Sequence, residues 1–208
     1  MAPNVYADHE DIKAAMPDQN WPTTAYDTQL DTYCTRASRE FDRATNRPPG
    51  FYYVTTASAR YFTGDGSLYL YPGEMAAAPT AVEVAETGVL SSLTAWSTSG
   101  DYHLLPFNAA DEGQPYTGLM IDIYNAGSKT EWPAFPKCVK VTAKWGYSTT
   151  VPSEVEGAVI TWAVRHFKRG QQGYQDAGAI QELGQLRYVK GVDPEIDDLI
   201  QRLRRQAI

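Results

Sequence analysis

The sequence predicts an α+β chain: a helical bundle of two N-terminal and two C-terminal helices, carrying an inserted antiparallel β-sandwich or barrel-like module. Three observations predict it. Residues 1–50 and 151–208 carry apolar stripes spaced three and four apart, the helical period. Residues 51–150 change to an alternation of period two. Helix-stopping residues sit at the changeovers, Pro48-Pro49-Gly50 on one side and Pro152 on the other. The expected domains are therefore 1–50 (N-terminal helices), 51–150 (inserted β-module) and 151–208 (C-terminal helices). The two helical flanks are expected to pack together as one domain.

The first helix is expected from about Asp8 to Met16, where Pro17 stops it. A polar linker with Trp21-Pro22 follows. The second helix is expected near Thr24, an N-cap residue type with Asp27 three residues on. Its stripe is Tyr26, Leu30, Tyr33, Ala37, Phe41 and Ala44, and Arg36, Arg39 and Arg43 lie towards the C-terminal end, where they favour the helix dipole.

In the middle zone, Val139, Val141, Ala143 and Trp145 alternate with Lys140, Thr142 and Lys144, the pattern of a half-buried strand. Similar runs are Phe51–Phe62, Leu68–Tyr71, Ala81–Ala85, Tyr102–Pro106 and Gly118–Tyr124. Turn residues separate them: Gly64-Asp65-Gly66 (read as a hairpin turn), Pro72-Gly73, Gly100-Asp101 and Asn125-Ala126-Gly127. Nine of the 14 tyrosines fall here, as a pleated, partly exposed sheet surface favours.

Helix returns at Ser153, which with Glu156 makes a capping-box pair. Val155, Val159, Trp162 and His166 give its apolar face, and Gly170 and Gly173 break it. Residues 174–192 read as a loop or short hairpin. Asp193-Pro194 opens a last helix with proline at the tolerated first position. Ile196, Leu199, Ile200 and Leu203 make its stripe, and Arg202, Arg204 and Arg205 crowd its end.

The bulk numbers exclude some functions. A net charge of -7 has the wrong sign for binding nucleic acid by counterion release. The acid excess lies early: residues 1–150 hold 10 Lys+Arg against 17 Asp+Glu, whereas 151–208 hold eight of each. Cys34 and Cys138 stand far apart without metal spacing and read as buried thiols in a reducing compartment. The opening MAPNVYADHEDIK lacks a signal-peptide layout, and no run approaches the roughly 18 apolar residues of a membrane span. The expectation is a soluble protein made in a cytoplasm, with no membrane partner.

Chemistry-bearing motifs are weak. His9, His103 and His166 fall in three different zones, and none belongs to an HExxH pair. His166, beside an apolar face, reads as a hydrogen-bonded boundary histidine. There is no G-x-S-x-G elbow, P-loop or Rossmann fingerprint. Gly64-Asp65-Gly66 lacks the further acids of a calcium loop. The reading is no enzyme, no catalytic residues, no metal and no cofactor.

Three stretches carry a family resemblance. One is TYCTRASREFDRATNRPPGFYYV, where a helix leads into the first strand. The second is SARYFTGDGSLYLYPG, followed by GDYHLLPFNAADEGQPYTGLMI. The third is VKVTAKWGYSTTVPSEVEGAVITWAVRHFKRG, a strand ending in Trp-Gly-Tyr, then a Val-Pro turn and a helix with basic residues at its close. Together they resemble the adaptor proteins of tailed-phage head-tail connectors. The resemblance implies a structural virion protein in the neck, assembled in the host cytoplasm. It implies a homo-oligomeric ring, usually of twelve copies, that joins the portal protein to the tail, a stopper or a tail-completion protein. Viral DNA would pass through its lumen without specific binding, and an acidic lumen suits that. Carried over by position, the resemblance makes Leu186, Tyr188, Ile196, Leu199, Leu203, Arg202, Arg204 and Arg205 the candidate portal or neighbour interface. Tyr26, Leu30, Tyr33, Phe41, Val155, Val159 and Trp162 are candidate ring or core helix faces. Alternatives are a carbohydrate-binding or tail-associated β-module protein, carried by the aromatic-rich middle zone, and the stopper ring of the same neck. A hydrolase reading requires His103 clustered with acids.

Overall fold

A computed structural model describes residues 4–21, 24–125, 129–171 and 194–205, together with the backbone of 177–180 and 185–188. The chain divides into two compact units, residues 1–50 with 151–208, and residues 51–150.

In the helical unit, α1 (His9–Ala15) is capped by the Asp8 side chain, which accepts from the Glu10 and Asp11 amides while Asp11 reaches back to the Asp8 amide. α2 (Asp27–Ala44) and α3 (Ser153–Gln171) are the long elements. They pack antiparallel: Phe41 meets Trp162 edge-on at 6.1 Å, and Tyr33 meets Phe167 at 6.3 Å. The stripe spacing produces this, since residues three and four apart share one helix face. Leu30, Tyr33, Ala37 and Phe41 are buried, as are Val155, Val159, Ala163 and Phe167. Each large apolar side chain so buried contributes roughly 1.5–3 kcal/mol. After α3, strands β8 (Ala177–Ile180) and β9 (Gln185–Tyr188) pair antiparallel, so the segment read as loop or hairpin contains a hairpin's strand pair. α4 (Pro194–Leu203) closes the unit.

Among the described residues the β unit holds seven strands in two antiparallel sheets. The first sheet has the order β1 (Ser58–Phe62), β7 (Val139–Ala143), β3 (Ala81–Val84), β4 (Thr94–Trp96); the second has β2 (Tyr69–Leu70), β6 (Gly118–Ile121), β5 (Tyr102–Leu105). Val82, Val84, Val139 and Val141 from the first sheet share one core with Leu70, Leu119, Ile121 and Tyr102 from the second. Trp132 lies fully buried in it, 4.8 Å from the Trp96 ring. Met75 bridges both Tyr116 and Trp145, tying the sheets at one edge. The alternation of period two thus delivers the expected sandwich: one face of each sheet in the core, the other in water. On the outer face of the first sheet, Glu83 and Lys140 stand directly opposite and pair at 2.6 Å.

Several local expectations are corrected. α2 begins at Asp27, with Tyr26 as an N-cap that makes no side-chain bond; Thr24 lies in the preceding turn. α3 begins at Ser153 itself, and the Val155 and Glu156 amides both donate to the Pro152 carbonyl, so Ser153 is inside the first turn rather than capping it. Phe51–Phe62 is a strand only from Ser58 onward. Phe51 and Tyr52 are buried as loop anchors, and the Phe51 carbonyl accepts from the Tyr147 amide at 2.8 Å. Gly64-Asp65-Gly66 is no hairpin turn: β1 and β2 belong to different sheets, and the Gly64 and Gly66 amides donate to the Pro133 and Trp132 carbonyls. A Cβ at Gly64 would sit 2.4 Å from the Trp132 oxygen, which explains the glycine. The strand Thr94–Trp96 has no counterpart among the expected runs. Pro22, Ala126, Gly127, Gly173 and Asp193 lie outside the described residues.

Candidate functional site

The residues singled out in the sequence are candidate assembly surfaces, and the structure sorts them into core and surface. Of the two stripes, Leu30, Tyr33, Phe41, Val155 and Val159 are buried inside the helical unit. Trp162 is half-buried against Phe41, and Tyr26 is 40% exposed, edge-on to Trp21 and Phe167. Those faces are therefore core along most of their length, and Tyr26 is the member left at the surface.

In α4 the apolar and basic residues part company. Ile196, Leu199 and Ile200 are buried and Leu203 half-buried, whereas Arg202, Arg204 and Arg205 are exposed. Buried side chains cannot touch a partner while the helix stays docked, so α4 presents its arginines. Leu186 and Tyr188 lie in β9 by backbone; their side chains lie outside what is described. The end of α4 is tied to the end of α2: the Arg205 amide donates to the Thr45 carbonyl at 3.0 Å, and Asn46 Nδ2 donates to the Arg205 carbonyl at 3.3 Å. Asn46 adopts a positive φ of 55°, which asparagine tolerates at a helix end. Arg202 also reaches Asp198 at 3.2 Å and Glu154 at 3.9 Å. Sequence reasoning missed Arg43 and Asn46 as neighbours of this end, because only the fold brings them there.

Beneath that surface a polar knot fixes the N-terminal segment. Asp42, buried in α2, accepts from the Tyr6 hydroxyl and from the Gly50 amide at 3.1 Å, with Arg39 Nε at 3.4 Å. Burial pushes the Asp42 carboxyl above the usual range, although those donors pull it the other way. Ser38 Oγ accepts from the Tyr6 amide at 3.1 Å, and the Arg39 guanidinium donates to the Asn4 carbonyl. His166 is a boundary histidine, 2.8 Å from Glu40 and stacked on Tyr33. Burial opposes ionisation of Glu40, but its bonds to His166 and Arg36 outweigh that and hold its carboxyl low.

The β unit presents a different surface. In the second sheet Tyr69, Met120 and His103 form one cross-strand row on the outer face. Tyr71, two residues along, stacks parallel to Tyr69 at 6.3 Å and lies over Gly118. Phe107 meets the His103 ring at 5.9 Å. Tyr71 and Phe107 are 68% and 63% exposed. The Tyr69-x-Tyr71 spacing places both rings on one face, but His103 and Phe107 join them only through the pairing of β5 with β6. His103 lies 3.2 Å from Asp122, whose carboxylate is held low first by Asn125 and then by the Tyr124 amide, against the opposing effect of burial. Among the described residues no three His, Cys, Asp or Glu side chains are grouped to hold a metal ion, and no helix is long and apolar enough to cross a membrane. Cys34 and Cys138 are buried free thiols, and burial pushes the Cys34 thiol up to about 12.

No protein-family model matches the sequence, and no curated protein does. Among solved structures, the chain is similar to a protein in the neck of an empty GTA (gene transfer agent) particle, computed with C6 symmetry. The two share 17% identity and superpose with a TM-score of 0.54 over 96% of this chain and 89% of that one. At that identity the likeness is one of fold alone, extending along nearly the whole of both chains.

Proposed function

We propose that this chain is a structural subunit of a phage-like neck. In this reading it is an adaptor in a homo-oligomeric ring, of twelve copies in the family it resembles, that joins a portal protein to the tail or next neck protein and extends the DNA channel. The carrying observation is the fold likeness to the GTA neck protein across 96% of the chain, which includes both the helical flanks and the β unit. Two further features support it. The docked, arginine-ended α4 gives the helical unit a charged surface suited to assembly, and the net charge of -7 suits a channel wall from which DNA slides without sticking. The reading assigns the chain no catalytic role and places it in the virion neck after assembly in the host cytoplasm.

Negative-stain microscopy of the purified protein, alone and mixed with its cognate portal, tests the proposal. Closed rings, or portal docking that is lost on deleting residues 186–208, are the expected results. A protein that stays monomeric and ignores the portal at every concentration overturns it. Tight, salt-sensitive binding of DNA to the assembled ring would overturn the non-stick channel alone.

A second reading is favoured by one observation, the exposed Tyr69, Tyr71 and Phe107 on the outer face of the second sheet. Aromatic rings presented this way can stack on sugar faces, making the β unit a glycan-binding module. Glycan-array binding that Y69A/Y71A abolishes would support it, and no binding to any glycan would remove it.

A further inference from the structure

The two ends of α2 carry opposite charge. At its C-terminal end the chain ties two helix C-termini together, through Arg205 to Thr45 and Asn46 to Arg205. Arg43, Arg204 and Arg205 are exposed there. Arg43 spends its Nε on the Arg39 carbonyl at 3.2 Å, a contact within its own helix, which leaves its charge at the surface. The plain structural role of these arginines is to offset the negative helix poles. Two poles amount to about half an elementary charge each, so three guanidinium groups leave a surplus of about two positive charges. Arg202 is already engaged by Asp198 and Glu154 and adds little to that surplus.

The other end is acidic. α1 runs antiparallel beside the first turns of α2, as His9 to Asp31 and Lys13 to Asp27 show. Asp8, Glu10, Asp11, Asp27 and Asp31 gather there against His9 and Lys13. Lys13 is spent on Asp27 at 2.7 Å and Glu10 at 3.3 Å, and Asp8, Glu10 and Asp31 are exposed. With 18 residues, α2 holds the two ends about 27 Å apart.

We infer that these ends meet between copies: the Arg43, Arg204 and Arg205 end of one subunit docks on the Asp8, Glu10 and Asp31 end of the next. The inference rests on the ring reading above and names its contact. A closed ring needs two unlike, mutually complementary faces on every subunit. The helical unit supplies a basic and an acidic face at opposite ends of one rigid helix. A second copy of the chain is the occupant that matches the basic end in charge, because each copy brings its own acidic end. Exposed pairs of this kind are individually weak, so the contact gains specificity and encounter rate from several charges acting together. It also weakens with salt, since screening acts over about 8–10 Å.

The experiment is a charge swap in the full-length chain, with association followed by analytical ultracentrifugation and negative-stain microscopy at low and high salt. R43E/R204E/R205E removes the basic end, and D8N/E10K/D31K reverses the acidic one, with asparagine kept as an N-cap residue type at position 8; circular dichroism melts check that both fold, and the single variants R204E and E10K replace any triple that does not. Each variant alone is expected to need at least a tenfold higher concentration to associate. An equimolar mixture is expected to regain association, because alternating subunits restore every basic-to-acidic contact. Wild-type-like association of either variant overturns the contact and leaves the ring reading standing. Loss in both without rescue in the mixture overturns the pairing of these two ends. A wild-type protein that never associates, with or without portal, removes the ring reading and the contact with it. DNA retention abolished by R43E/R204E/R205E while association persists would assign the arginines to nucleic acid instead.

Discussion

The helical unit and the β unit solve burial in opposite ways. Of the eleven large hydrophobic side chains exposed among the described residues, nine belong to the β unit: Tyr61, Tyr69, Tyr71, Val89, Leu90, Phe107, Ile123, Tyr124 and Phe135. Among the described residues the helical unit exposes only Val5 and Tyr26, yet it buries Ser38, Asp42 and Thr45, whereas Asp122 is the one such polar residue of the β unit. The helical unit therefore has a polar interior knot and a charged exterior, and the β unit an apolar interior and an aromatic exterior. Association through the first surface weakens with salt, whereas association through the second strengthens or holds. A protein with both can bind two chemically distinct neighbours without confusing them.

The largest expected effect tests the apolar half of that contrast. Trp132→Ala empties a fully buried site against Trp96 and is expected to cost about 3–5 kcal/mol, read from denaturant unfolding. A cost under about 1 kcal/mol would mean that the β-unit core does not hold together as described. Gly146→Ala comes next. A Cβ there would lie 2.4 Å from the Phe51 carbonyl oxygen and equally close to Val54, where the Tyr147 amide also docks. Overpacking against backbone is expected to cost about 1–3 kcal/mol. A neutral Gly146→Ala would show that the loop from Phe51 to Val54 yields easily.

The polar half is tested by Tyr6→Phe, which leaves buried Asp42 without its phenolic donor. The expected loss is about 1–3 kcal/mol at neutral pH. Its pH dependence has a definite sign. The folded pKa of Asp42 is raised, so the native state holds the proton more tightly than the unfolded chain. The ionised carboxylate is thus a burden on the fold above that pKa. The burden is relieved as pH falls through the folded value towards the ordinary 3.8. The Tyr6→Phe penalty should therefore shrink on mild acidification, and a penalty that grows would show that the Asp42 charge is welcome where it lies.

These contrasts were only partly legible in the sequence. The class, the helix, β, helix order and the cores of α2 and α3 follow from periodicity, because a stripe such as Leu30, Tyr33 and Phe41 has one way to be buried. What failed was information about partners. Gly64-Asp65-Gly66 has hairpin chemistry locally, but β1 pairs with β7, some eighty residues on, as the register Ser58 to Ala143 shows. Thr94–Trp96 is too short, among serines and threonines, to show a period, and it is a strand because β3 offers it an edge. Phe51 and Tyr52 read as strand residues since aromatic residues favour strands, yet they are loop anchors around Gly146 and Tyr147. The candidate surfaces suffered likewise. Family position makes Ile196 and Leu199 interface candidates, but the rest of the chain already buries them. Arg43 joins Arg205 only through the Thr45 contact, which no spacing announces.

The smallest effect lies at the acidic end of the helical unit, where His9 fastens α1 to α2. Its Nδ1 is 2.9 Å from Asp31 Oδ1, its backbone amide donates to the same oxygen at 3.1 Å, and Nε2 faces Glu10 at 3.2 Å and Asp27 at 3.7 Å, with Lys13 nearby. The bond to Asp31 raises the His9 pKa above its ordinary 6.5, desolvation opposes this, and the Asp31 and Asp27 charges support it. A folded pKa above the unfolded one means that protonated His9 stabilises the docked helix fully below about 6.5 and ceases to as pH rises through the folded value. The melting temperature of wild type should therefore exceed that of His9→Gln most on the acid side of neutrality, with the gap closing towards alkaline pH. Because the His9 ring is only half-buried, the gap should also narrow with salt. A gap that ignores both pH and salt would mean that packing of Ile12, and not the His9 charge, holds α1 in place.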